Sequence, residues 1–137
     1  MGVNLNPYLH FDGDAADALA FYADVLGGSS TSMTFGEMGM EGDAATKLMH
    51  GQLDTDAGIT LMLSDFPPGS DDVRRTGNDV TVALSGDDGD TLRRWWGRLS
   101  DGGTVHVPLE KQMWGDEFGA CSDRFGVSWL VNIAGGS

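Results

Sequence analysis

The chain has one cysteine, Cys121, among 137 residues, which excludes an internal disulfide. It also has no apolar run near the roughly 20 residues that a membrane-spanning helix needs. No basic start followed by an apolar stretch marks it for export, so a soluble cytoplasmic protein is expected. Basic residues are scarce: eight Lys and Arg stand against 21 Asp and Glu, a formal net charge of -13. Such a surface repels phosphate backbones and anionic lipid, which argues against nucleic acid or a membrane as partner. The same field favours cationic compounds among small ligands, although many of the carboxylates lie in glycine-rich stretches where solubility accounts for them. A chain of this length supports one core of ordinary size and is short for two independent ones.

Taken in order, residues 4–11 alternate as a strand, with Leu5, Pro7, Leu9 and Phe11 on one face and Asn6, Tyr8 and His10 on the other. Asp12, Gly13 and Asp14 interrupt it, and Asp14 is placed to cap a helix carrying Leu19, Tyr22 and Leu26 at helical spacing up to Gly27 and Gly28. Three short β-compatible runs follow, at 29–35, 47–53 and 58–63. The first half therefore reads βαβββ. Residues 66–78 contain Pro67, Pro68 and Gly69 with a polar run, the composition of a linker between module one, about 1–65, and module two, about 79–137.

Beyond the linker the pattern repeats. A shift of 73 residues carries Leu9 onto Val82, Phe11 onto Leu84, Asp14 onto Asp87, Leu19 onto Leu92, Tyr22 onto Trp95 and Leu26 onto Leu99. The closing glycines arrive two residues later, as Gly102 and Gly103, so the second helix is expected to be slightly longer or more loosely capped. Strands at 104–109, 118–121 and 127–133 complete a second βαβββ, while 110–117 stays unassigned. In the last strand Val127, Trp129, Val131 and Ile133 share a face suited to packing, and Ser128, Leu130 and Asn132 share the other.

The opening N-P-Y-L-H-F-D-G-D, the helix end F-Y-A-D-V-L-G-G, then F-G-E-M, L-M-L-S-D with its proline-glycine loop, and D-R-F-G-V-S-W occur in one order along nearly the whole chain. In this it resembles the vicinal oxygen chelate superfamily, the glyoxalase and bleomycin-resistance fold, and most closely its PhnB-like branch. The resemblance implies an α+β fold in which two βαβββ modules form a curled mixed sheet around a concave cavity with the helices outside, as one domain that pairs into a homodimer. It also implies a small-molecule pocket. Metal-dependent members take His and Glu ligands from the first and last strands of both modules; the matching positions here are Asn6, Tyr8 and His10, then Asp79, Thr81 and Ala83, then Thr60, Met62 and Ser64, then Ser128, Leu130 and Asn132. No His/Glu quartet appears, so neither the superfamily metal centre nor another cofactor is expected. A methyl-transfer role has no support, since no Rossmann-type glycine loop is present.

Candidate pocket residues are Tyr8, His10, Glu37, His50, Met62, Asp65 and Trp114. His10 and His50 lie within strands, His50 sharing a face with Leu48 and Gln52, and each can bond a ligand or serve as a hydrogen-bonded structural group. Glu37 and Asp65 could act as acid and base; alternatively Asp65 caps a turn and Glu37 is a solvated loop charge. Trp114 and Trp129 suit a pocket wall, core packing or an interface. Cys121 and His106 read as structural. The expected function is small-molecule binding with no assigned catalytic residue; the alternative is a metal-dependent lyase or dioxygenase.

Overall fold

Leu61 and Leu63 alternate with Thr60, Met62 and Ser64, and this period of two presents one closed and one open face on the sheet they join. The computed structural model describes residues 2–67, 74–77 and 79–135. The chain divides into two units, Met1–Arg75 and Thr76–Ser137. Most of the expected linker at 66–78 lies outside the described residues, although Phe66 N–H still bonds Phe11 O at 2.9 Å.

The first unit runs β1 (Tyr8–Phe11), α1 (Ala15–Leu26), β2 (Ser29–Thr34), two short 3-10 turns (Gly36–Met38 and Asp43–Thr46), β3 (Leu48–Asp54) and β4 (Thr60–Asp65). Its sheet has the order β1-β4-β3-β2, with β1 parallel to β4 and the other pairs antiparallel. The second unit repeats this as β5 (Val82–Gly86), α2 (Gly89–Ser100), β6 (Thr104–Lys111), β7 (Glu117–Ser122) and β8 (Ser128–Ile133), in the order β5-β8-β7-β6. Two βαβββ modules of α+β class are therefore present, as the sequence repeat requires. Among the described residues no helix is long and apolar enough to cross a membrane.

In the first unit α1 packs on β3 and β4. Ala15, Ala18, Leu19, Tyr22, Val25 and Leu26 of the helix and Phe11, Leu48, Leu53, Leu61 and Leu63 of the sheet are all buried. Each large side chain so removed from water contributes about 1.5–3 kcal/mol. In the second unit Leu92, Trp95 and Leu99 of α2 are buried, as are Cys121, Trp129, Val131 and Ile133 of the sheet. Burial and the nearby charge of Asp123 push the Cys121 thiol up to about 11. Each helix is followed by a matched glycine pair. Gly27 and Gly102 take φ of +78° and +79°, and a Cβ on Gly28 or Gly103 would lie 2.2 Å from Asp54 O or 2.0 Å from Ser122 O. Only glycine lets the chain turn so close to the neighbouring hairpin.

Several local expectations are corrected. Strand β1 begins at Tyr8 rather than Asn4, because pairing with β4 starts at Tyr8 opposite Met62; Leu5 is 98% exposed and belongs to no packed face. Both helices have 12 residues, the second beginning and ending one residue late in the 73-residue repeat; of the two expected differences it is the looser cap that holds, since Gly27 N–H bonds Ala23 O at the end of the first helix while the second ends on an extended Asp101. Its cap is Asp88 rather than Asp87, with Thr91 N–H donating to Asp88 Oδ1 at 3.2 Å and the Thr91 hydroxyl to Oδ2 at 2.8 Å. These bonds, the side-chain one first, hold the Asp88 carboxyl below its usual range. The unassigned 110–117 stretch is the end of β6, a tight turn closed by Gln112 N–H to Asp116 O at 2.7 Å, and the start of β7. Strand β6 ends its sheet, and two register breaks and Pro108 interrupt its ladder, features that blunt an open edge.

The chain end is organised by Asp123, which is buried. Its Oδ1 accepts from Phe125 N–H at 2.9 Å and Val127 N–H at 3.1 Å, and its Oδ2 from Trp129 Nε1 at 2.9 Å. The D-R-F-G-V-S-W motif is thus a carboxylate-centred turn. Trp129→Phe keeps most of the buried area but removes one donor and should cost about 1–3 kcal/mol; Trp129→Ala also leaves a cavity and should cost about 3–5 kcal/mol. Urea unfolding midpoints should fall in that order, and an unchanged midpoint for Trp129→Ala would show that the packed face is misassigned.

Candidate functional site

Alternation in the first unit sends Leu9 and Phe11, Leu61 and Leu63, and Gly51 and Leu53 toward α1, leaving the opposite face of the sheet without a helix of that unit. This open face carries Tyr8 and His10 from β1, Thr60, Met62 and Ser64 from β4, and His50, Gln52 and Asp54 from β3. Thr31 and Met33 of β2 extend it opposite Gln52 and His50. His50 owes its place to a bulge. Thr34 pairs with Leu48 while Met33 pairs with His50, so Met49 is an extra residue on β3. Leu48 consequently lies on the helix side, its Cδ1 3.3 Å from where a Cβ on Gly51 would stand, and His50 does not share its face as simple alternation implies.

Four rings gather on the open face. The Tyr8 hydroxyl lies 3.1 Å from His50 Nδ1, with ring centroids 5.7 Å apart. The Tyr8 and His10 rings are 5.2 Å apart, and His10 stacks on Phe66 at 5.2 Å and 15° between planes. Tyr8 is 41% exposed, His10 is exposed, and His50 and Phe66 are half-buried. Met62 sits between Tyr8 and Gln52 in the strand register. The group offers flat apolar surface and hydroxyl and imidazole atoms able to donate or accept.

The other candidates stand elsewhere. Glu37 forms a reciprocal pair with Thr34: Thr34 N–H donates to Glu37 Oε2 at 2.8 Å and Glu37 N–H to Thr34 Oγ1 at 3.1 Å. T-F-G-E has the capping-box spacing, so the sequence carried this signal. Trp114 belongs to the second unit, 62% exposed in the turn between β6 and β7 beside the 98% exposed Met113. His106, also in that unit, has Nε2 2.8 Å from Ser122 Oγ. Phe66 was missed because its proline neighbour puts it in linker composition, and Asp54 because it closes a strand beside an acidic turn.

The chain is similar to known proteins over almost its full length. Residues 4–131 match the model of the Glyoxalase/Bleomycin resistance protein/Dioxygenase superfamily. A crystal structure of a Pseudomonas aeruginosa protein shares 32% identity over 97% of this chain and 98% of that one, with a TM-score of 0.84. The chain belongs to the glyoxalase/bleomycin resistance/dioxygenase superfamily. Protein YjdN of Escherichia coli K12 is 29% identical over 94% of both chains. The fold is shared with a Bacillus cereus protein described as a putative 3-demethylubiquinone-9 3-methyltransferase, PhnB protein, at 19% identity, 96% and 100% coverage and a TM-score of 0.73.

Metal-dependent members of this superfamily imply a His/Glu ligand set, which the strands here do not supply. Beside His10 on the first unit's first and last strands, β1 and β4, stand Tyr8, Thr60, Met62 and Ser64; in the second, Ala83 pairs with Leu130 and Ser85 with Asn132. Among the described residues no three His, Cys, Asp or Glu side chains gather as metal donors. That set does not fit a divalent centre.

Asp65 is buried and serves the backbone. Its Oδ1 accepts from Gly13 N–H at 2.7 Å and Ala15 N–H at 3.0 Å, and its Oδ2 from Leu48 N–H at 3.0 Å. Asp14, the helix-capping position, makes no side-chain cap bond; Asp65 satisfies the first turn from across the sheet. Asp65→Ala should strand three donors and cost at least about 3 kcal/mol, with Asp65→Asn intermediate, both read as urea midpoints. An Asp65→Ala variant of unchanged stability would show that the carboxylate is free for other work.

Proposed function

We propose that this superfamily member binds a small molecule on the open face of its first sheet, with Tyr8, His10, His50 and Phe66 as the contact surface and Met62 as its floor. The observation that carries this reading is the Tyr8–His50 hydrogen bond set beside the stacked His10 and Phe66 rings. Rings and ambivalent polar atoms converge there with no helix of the same unit over them. A ligand would lay a flat group against the rings and exchange hydrogen bonds with the Tyr8 hydroxyl and imidazole nitrogens, through fixed strands rather than loops. Binding, sequestration or sensing follows from these groups without a metal. Asp65 and Glu37 are committed to backbone N–H groups and have no part in it.

The test is NMR titration of protein labelled in its His and Tyr rings against a panel of flat aromatic compounds. His10, His50 and Tyr8 resonances should move with a common affinity while His106 stays still. His10→Ala should weaken binding at least tenfold with a loss of stability under about 1 kcal/mol, as expected for an exposed side chain. A ligand that moves only resonances of the second unit, or one bound equally by His10→Ala, would overturn the assignment.

The homodimer belongs to the same proposal, supported by the exposed Met113 and Trp114 on the β6–β7 turn. Sedimentation equilibrium at micromolar protein should give twice the chain mass, and Trp114→Ala should shift the population toward monomer. A monomer at all concentrations would remove it.

A further inference from the structure

Asp54 closes β3 on the open face, in step with His50 and Gln52. Its carboxylate is exposed yet held: Gln52 Nε2 donates to Oδ1 and Oδ2 at 3.3 and 3.0 Å, and Thr60 Oγ1 donates to Oδ1 at 2.8 Å. These donors are neutral and leave the negative charge in place. Among the described residues no Lys, Arg or His pairs with it in an ion pair. Fixing an exposed carboxylate in one orientation without neutralising it prepares it for a cation from outside.

The register sets its distance from the rings. Thr60 lies opposite Asp54, while Met62 lies opposite both Gln52 and Tyr8. Two residues along a strand are about 7 Å, and Asp54 on β3 stands two strand spacings, about 10 Å, from Tyr8 on β1, a span that its lean toward Thr60 shortens; ring and charge are then roughly 10–12 Å apart. Between them lies the half-buried thioether of Met62, an adaptable apolar surface.

We infer that the ligand of this face is an amphipathic cation: a planar apolar group seated on Tyr8, His10 and Phe66, joined through a short chain over Met62 to an ammonium held by Asp54. This rests on the open face being the binding surface and adds the ligand's class. The rings contribute apolar area for the planar group. Asp54 contributes direction, so a neutral molecule of the same shape should bind less tightly. Thr60 and Gln52 position the carboxylate.

The experiment uses two probes of equal shape: a naphthyl ring carrying trimethylammonium on a three-carbon chain, and its neutral analogue with a tert-butyl group in that place. Both are titrated against the full chain by NMR, following the Met62 methyl and the His10 and His50 rings. The cation should bind about five- to tenfold more tightly, with the preference falling as salt rises. Asp54→Asn, which keeps an oxygen for Thr60, should remove the preference and leave the neutral probe's affinity unchanged; His10→Ala should weaken both probes. Equal affinities with Asp54 intact overturn the inference while leaving the binding surface standing. A preference that survives Asp54→Asn also overturns it, because the overall acidity of the chain then accounts for the selectivity. If neither probe moves the open-face resonances, the binding surface and the inference fall together.

Discussion

The buried carboxylate of Asp65 is the contact on which the first module depends. Burying a carboxylate is costly unless its oxygens are filled, and three backbone N–H groups fill them. Those donors belong to the turn after β1, the first residue of α1 and the start of β3. One side chain at the end of β4 therefore sets where the helix begins and how β3 enters the sheet. The bond to Leu48 N–H has a further effect, because the bulge that follows is what sends Leu48 into the core and His50 to the open face. The ring cluster thus inherits its geometry from a residue that takes no part in it.

The second module reaches the same topology with its carboxylates placed differently. Asp88 caps α2 locally through Thr91, and the buried Asp123 ties its own turn to the Trp129 indole. In the corresponding turn of the first module, Thr55 Oγ1 accepts from Ile59 N–H at 3.0 Å where Asp123 Oδ1 accepts from Val127 N–H. The two copies keep the glycine pairs and the apolar spacing, which the backbone demands, and differ in the polar groups that satisfy turns and caps. Arg93 adds a pair to Glu117, its hydrogen bonds holding the Glu117 carboxyl below its usual range. That pair lies on the surface, where its contribution is modest.

The open face of the first sheet carries charge and aromaticity at separate places along one set of strands. Its rings come from β1 and β3 and from the residue after β4, its thioether from β4 and its carboxylate from the end of β3. Regular strands hold such groups at set intervals, so a shift of one residue in register would bury Tyr8 and His10 and expose Leu9 and Phe11. The apolar face against α1 forbids that shift.

The sequence by itself determined the two βαβββ modules and most of the core. Leu19, Tyr22 and Leu26, Leu92, Trp95 and Leu99, and Trp129, Val131 and Ile133 recur at periods that only one face of a helix or strand can satisfy, and all are buried. It also showed Tyr8 and His10 on a polar face, because alternation is local. Three things were decided only by tertiary structure. The capping of α1 passes from Asp14 to Asp65, 50 residues from the Ala15 N–H that it accepts, a distance no local motif encodes. His50 changes partners through a bulge that period-two counting does not register. Phe66 and Asp54 join the open face through strand pairing. Local periods follow from backbone geometry and can be read along the chain, whereas hydrogen bonds between distant segments and the register of paired strands are settled only when the sheet assembles.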